Sequence, residues 1–145
     1  MHGIRGWLKN SFQEAAWAPF AIFILHVIAD KEYIIYPWLD MPTHFAGGMA
    51  ITYFFRICTF RSQILIGSIP RPIQLLLSLG LTAISAVVWE FLEFSSDILL
   101  GTKLNLGVSD TLSDLFFGLL GGVVVVAGSI ITMRNRVAVG VVNEA

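Results

Sequence analysis

Apolar residues in this chain gather into long blocks rather than alternating or recurring along a single helical stripe. Four blocks approach the roughly 20 mostly apolar residues that a helix needs to cross a bilayer. They cover about 12–29, 42–60, 72–100 and 109–133. Pro42 and Pro72 open the second and third blocks, in the first helical turn where a missing N–H is tolerated. Ser109 and Thr111 are candidate caps for the fourth, and Thr111 with Asp114 has the capping-box spacing. Segments 30–41, 61–71 and 101–108 are short polar connectors, and no internal repeat or low-complexity linker divides the chain. The pattern predicts an all-α integral membrane four-helix bundle, with residues 1–145 forming a single transmembrane domain.

The first block has a rival reading as a secretory signal. Arg5 and Lys9 precede it, and Val27-Ile28-Ala29 suits a signal peptidase. Trp17, Pro19 and His26 are out of place in a signal core, so an uncleaved first helix is expected.

Composition agrees with a membrane chain. Hydrophobic residues make up 56% and charged residues 13%, against about 25% charged in a soluble domain. Such a chain lacks the polar surface to cover itself in water. The formal net charge of −1 offers no basic footprint for nucleic acid. The one cysteine, Cys58, excludes an internal disulfide and a cysteine-rich metal site. Three histidines are too few for a multi-histidine di-iron oxygenase.

Charge placement predicts orientation. With four spans, Arg5, Lys9, Arg56, Arg61, Arg71, Arg134 and Arg136 fall on one side, and only Lys31 and Lys103 on the other. Lys and Arg favour the cytoplasm, so both termini are expected there, in a multi-pass protein of the cell (inner) membrane.

The acids then collect at the opposite, outer side. Asp30, Glu32 and Asp40 belong to the first outer connector, Glu90, Glu93 and Asp97 to the outer half of the third helix, and Asp110 and Asp114 to the start of the fourth. Only Glu14 and Glu144 fall on the cytoplasmic side, and His26 and His44 sit toward outer helix ends. Glu90, Glu93 and Asp97 share one helical face, continued inward by Ala83 and Ala86. Asp110 and Asp114 continue into Gly118 and Gly122, a small-xxx-small surface suited to close helix contact. Asp40 and His44 are followed by Ala46, Gly47 and Gly48. Small stripes face other helices, so the polar groups are expected to face one another.

Each group also has a plain explanation. Asp40 could be a cap, His44 an interfacial histidine, Asp110 and Asp114 charges favoured by a helix dipole, and Glu93 and Asp97 solvated. Glu90 is hardest to dismiss. It lies roughly 27 Å along its helix from Pro72, near the edge of a hydrocarbon core about 30 Å thick, where ionisable groups are functional candidates. The residues point to a shared outward-facing site. Asp40, His44, Asp110 and Asp114 are candidate ligands for a divalent cation such as Mg, Mn, Ca or Zn. Glu90 and Glu93 are candidate catalytic carboxylates. The substrate would be a membrane lipid or lipid-linked precursor of the envelope. No spacing matches a strong metal motif such as H-E-x-x-H. Two other functions compete: an accessory subunit meeting a protein partner through its Gly and Ala stripes, and an ion or proton pathway, for which Ser78, Thr82 and Ser85 offer a thin polar trail. Trp7, Trp17, Trp38 and Trp89 are read as interfacial anchors, and Arg56 as a snorkelling side chain.

Three ordered blocks carry a resemblance: Asp40-Met-Pro-Thr-His44-Phe-Ala-Gly-Gly48, Trp89-Glu90-Phe-Leu-Glu93 and Asp110-Thr-Leu-Ser-Asp114-Leu-Phe-Phe-Gly118. Together they resemble the YjdF-like inner-membrane proteins and, more distantly, the VanZ-like proteins linked to glycopeptide resistance. The likeness covers about two thirds of the chain. It implies a polytopic microbial membrane protein and points to Asp40, His44, Glu90, Glu93, Asp110 and Asp114. The chain departs from the VanZ pattern at Pro42, where that pattern has lysine, at Glu93, where glutamine is common, and in having no Asn before Gly118. A role in glycopeptide resistance is not expected.

Overall fold

The computed structural model describes residues 3–33 and 37–143, with side chains described for 3–28 and 38–132. Asp30, Lys31, Glu32, Arg134 and Arg136 therefore fall outside the described side chains, and Glu144 outside the described residues. The described residues form five helices: α1 (Ile4–Ala15), α2 (Trp17–Tyr33), α3 (Asp40–Ile66), α4 (Arg71–Leu100) and α5 (Val108–Asn143), with a 3-10 turn at Pro37–Leu39 before α3.

The expected first span is a broken pair rather than one helix. Helices α1 and α2 meet at a bend of 53°. Pro19 accounts for the break: its ring nitrogen cannot donate to the Ala15 carbonyl, and the ring crowds that carbonyl. Hydrogen bonding persists around it, from the Ala16 N–H to the Phe12 oxygen and from the Phe20 N–H to the Ala16 oxygen. Trp7 of α1 donates its indole N–H to the Cys58 carbonyl of α3 at 3.2 Å. Glu14 pairs with Arg61 of α3.

Two helices, α4 and α5, are long and apolar enough to cross a membrane, and the bent α1–α2 pair can count as a third. Helix α3 is the exception. It carries Asp40, His44, Arg56 and Arg61, yet α1, α2, α4 and α5 all pack on it. The most polar of the long helices is thus the central one. It also extends past the expected boundary at 60 to Ile66, because helix geometry continues beyond the apolar block until Gly67 turns the chain at φ +87°. Helix α4 ends at Gly101, in the left-handed conformation at φ +69°. Such positions favour glycine, which has no Cβ to clash.

Burial is inverted relative to a water-soluble domain. The largest fully buried side chains are Thr52, Thr82, Ser11 and Ser78, whereas Phe91 is 65% exposed and Leu99 78%. Hydroxyls and glycines inside, with large apolar side chains outside, is the arrangement that a lipid solvent favours, since lipid gives no hydrophobic drive between helices.

Candidate functional site

The site is built by glycine contacts between α3 and α5. A Cβ added at Gly48 would fall on the Gly118 carbonyl, and one at Gly121 on the Phe45 carbonyl. At Gly122 it would lie 2.8 Å from Thr52 Oγ1 and 2.9 Å from Leu79 Cδ1. The two backbones therefore touch. His44 lies one helical turn before Gly48, and Asp114 one turn before Gly118. The contact that joins the glycines accordingly brings the imidazole and the carboxylate together. The Ala86 methyl packs at the same junction, 3.9 Å from the Cβ position of Gly118, so α4 approaches there and presents Glu90 and Glu93 one and two turns along.

His44, Glu90, Glu93 and Asp114 each offer a ligand atom, and these four atoms lie within 4.8 Å of one another. They are deeply buried: Asp114 is 3% exposed, Glu93 5% and Glu90 7%, and the His44 side chain 10%. His44 Nε2, Glu90 Oε2 and Asp114 Oδ1 have no hydrogen-bond partner in the structure. His44 Nε2 stands 3.3 Å from Asp40 Oδ1 and 3.9 Å from Asp114 Oδ1, close enough for ion pairing but outside hydrogen-bond geometry. Among the described residues, the basic groups within 4 Å of the site's carboxylates are the two imidazoles. Buried polar atoms are ordinarily paired, and leaving one unpaired costs about 1–3 kcal/mol, more if charged. Three such atoms belong to residues whose ligand atoms gather within 4.8 Å of one another, and packing alone does not explain them.

The other acids sort themselves around this centre. Asp40, Asp110 and Asp114 form a second group of mutually close ligand atoms, sharing Asp114 with the first. Asp110 is partly engaged elsewhere, since its Oδ2 accepts the Leu106 N–H at 2.8 Å. Asp97 does not join. Its carboxylate accepts from Thr102 Oγ1 at 2.6 Å, the Leu104 N–H at 2.8 Å and the Asn105 N–H at 3.0 Å, tying down the connector after α4. The capping box expected from Thr111 and Asp114 does not form. Helix α5 starts earlier, at Val108, so both residues lie inside it, and Asp114 turns into the bundle.

Two residues outside the expected ligand and catalytic sets belong to the site. His26 of α2 is buried, with Nε2 3.5 Å from Glu93 Oε1 and its ring centroid 5.9 Å from that of His44. It also groups with Asp40 and His44 as a third set of close ligand atoms. Trp89, read from sequence as an anchor, donates its indole N–H to Glu93 Oε1 at 2.8 Å and meets His26 edge-on at 5.0 Å. The signal for His26 was its depth in an apolar helix. Its partners come from distant helices and could not be read from local spacing.

An apolar cavity of about 310 Å³ opens beside the site. Ile22 and Phe23 of α2, Ile51 of α3 and Val88 of α4 form walls, and His26 and His44 contribute polar edges. Helices α2 and α4 both pack on or beside α3 and, among the described residues, do not pack directly on each other along their backbones. Toward the acidic end the gap is bridged by side chains, with Phe23 against Trp89 at 6.0 Å. Farther inward, α3 and α4 are joined by hydroxyl pairs: Thr52 with Thr82 at 2.8 Å and Thr59 with Ser78 at 3.2 Å.

A family model described as "Predicted membrane protein (DUF2238)" matches residues 7–135. The chain belongs to the DUF2238 family. It is a membrane protein, as its apolar helices and inverted burial require. An uncharacterised protein of Thermotoga maritima is 39% identical to this DUF2238 chain over 89 residues, covering 60% of the chain and 44% of the relative. The match thus spans less than half of that relative's length. No solved structure matches.

Proposed function

We propose that this DUF2238 protein crosses the inner membrane four times, with both termini in the cytoplasm, and holds a divalent cation at an outward-facing centre formed by His44, Glu90 and Asp114, with Glu93 beside it. There it acts on the head group of an envelope lipid or lipid-linked substrate. In this topology α1 and α2 together make the first pass, and α3, α4 and α5 the others. The orientation rests on the bias of Lys and Arg toward one end. The likeness of the three acidic blocks to YjdF-like proteins fits the same reading.

The observation that carries the cation is that His44, Glu90, Glu93 and Asp114 bring four ligand atoms within 4.8 Å of one another, while His44 Nε2, Glu90 Oε2 and Asp114 Oδ1 are buried without a hydrogen bond. Uncompensated buried charge is costly, and a divalent cation would answer all three atoms at once. Ligand atoms on opposite sides of such an ion are separated by about 4–5 Å, twice a metal–oxygen distance, and the four ligand atoms here lie within 4.8 Å of one another. One imidazole with carboxylate oxygens suits Mn, Zn or Mg, and Ca with added oxygen ligands. A bound cation would polarise a phosphoryl or carbonyl oxygen and activate water. Glu93, held by Trp89 and close to His26, is positioned for proton transfer at that centre. The adjoining cavity suits an acyl or isoprenoid chain, because it is apolar and within the range of about 300–1,000 Å³ typical of small-molecule sites.

Metal analysis of the detergent-solubilised protein tests the cation. Wild-type protein, reloaded after chelation, is expected to carry close to one divalent ion per chain, and His44→Ala/Glu90→Ala none above background. Equal metal content in the two proteins would remove the proposal. For the substrate, Glu93→Gln is expected to keep the ion but lose turnover of lipids from a labelled envelope extract.

The hydroxyl pairs favour a second reading, a proton pathway. They continue the polar line inward from the site toward Thr59 and Gln74. Proteoliposomes reporting internal pH test it: Thr52→Val/Thr82→Val should reduce proton flux several-fold if protons travel this way.

A further inference from the structure

At the end of the bundle opposite the acidic centre, α3, α4 and α5 line a second, open cavity of about 620 Å³. Arg56 of α3 and Arg71 of α4 both line it, with Thr59, Gln74, Ser129 and Thr132. Arg61, their neighbour in sequence on α3, is paired with Glu14. Among the described residues, neither Arg56 nor Arg71 has a carboxylate within 4 Å.

The polar groups around them are largely committed. Thr59 donates toward the carbonyls of Phe55 and Arg56, Ser129 to Val125, Thr132 to Gly128, and the Gln74 amide to Ile69. Thr59 also meets Ser78 of α4, so these polar groups are engaged within the bundle. Among the described residues that line the cavity, the uncommitted donors are thus chiefly those of Arg56 and Arg71. Their forked geometry matches an anionic phosphate oxygen pair. The remaining wall, with Ile57, Phe60, Leu75 and Val125, is apolar and suits the chains below a head group.

We infer that this cavity binds the phosphate of an anionic phospholipid, with Arg56 and Arg71 as its ligands. Basic pockets between membrane helices on the cytoplasmic side hold anionic head groups in this way. The cavity and its arginines are independent of the cation centre. Only the assignment to the cytoplasmic leaflet rests on the orientation proposed above.

The test is native mass spectrometry of delipidated protein titrated with phosphatidylglycerol or phosphatidylcholine. Each basic group near an anionic lipid strengthens attraction about fivefold, so the pair predicts a preference of roughly 30-fold for phosphatidylglycerol. Arg56→Gln/Arg71→Gln should bring the two lipids level. Arg56→Lys/Arg71→Lys should retain part of the preference, and Arg5→Gln/Lys9→Gln, which removes ordinary interfacial charge, should keep it. Inorganic phosphate at millimolar concentration should not displace the lipid. The inference is overturned if wild-type protein shows no preference, if the Arg56/Arg71 glutamine variant keeps it, or if the Arg5/Lys9 variant loses it equally. Displacement by inorganic phosphate, or phosphate binding without lipid binding, would assign the cavity to a free anion and overturn the lipid.

Discussion

The two ends of this bundle handle charge in opposite ways. At one end, Glu90, Glu93 and Asp114 are buried among helices beside a largely buried His44, with three atoms left without a hydrogen bond. At the other, Arg61 pairs with Glu14 on a partly exposed surface, and Arg56 and Arg71 line a cavity at the helix ends. Long flexible arginines can reach an interface from almost any helix position. Short carboxylates cannot, so their position reports where the backbone has put them. The acidic end is therefore the part of the molecule in which the fold itself spends stability, and the basic end is where charge is cheap.

The sharpest way to break that contrast is to separate α3 from α5. Gly48→Val would drive a side chain into the Gly118 carbonyl, where backbone cannot yield, at an expected cost of about 3 kcal/mol or more. Unfolding in detergent should show the loss, and cation binding should vanish with it. Gly128→Ala is the control, since a Cβ there meets nothing within 4 Å and alanine is the better helix former.

Glu90→Gln should act in the other direction. Removing a buried, unpaired charge should stabilise chelated protein by about 1–2 kcal/mol. The same change should abolish the rise in unfolding temperature that added cation gives the wild type. A loss of stability in chelated protein would mean that Glu90 is structurally satisfied.

The hydroxyl pairs between the two ends are worth less. A double-mutant cycle on Thr52→Val and Thr82→Val should return a coupling of about 0.6 kcal/mol, the average for such bonds between membrane helices. Smallest of all is the exposed Arg61–Glu14 pair. Arg61→Gln should cost no more than about 1 kcal/mol, and that cost should shrink with added salt.

Much of the acidic end was legible in the sequence because it depends on helical periodicity. The i, i+4 relation of His44 to Gly48 and of Asp114 to Gly118 is visible without coordinates, and it already says that polar groups continue small-residue stripes. What spacing could not supply was how those stripes pair. The glycines reserved in the subunit reading for an outside partner are used inside the bundle, Gly48 on Gly118 and Gly122 on Thr52 and Leu79. Asp97 shares a face with Glu90 and Glu93 but lies at the helix end, where loop N–H groups compete for it and win. The split of the first span turned on Pro19, whose helix-breaking effect was outweighed in the sequence by the surrounding apolar run. Helix α3 outlasted its apolar block because hydrophobicity marks where a helix leaves lipid, whereas Gly67 marks where it stops.

If the buried acids and His44 hold a cation, as proposed, titration of chelated protein with Mn²⁺, followed by electron paramagnetic resonance, will show it. Saturation is expected at one ion per chain for the wild type and for Gly128→Ala, with no specific binding for His44→Ala/Glu90→Ala. Superimposable titrations of the wild type and the double variant would contradict it.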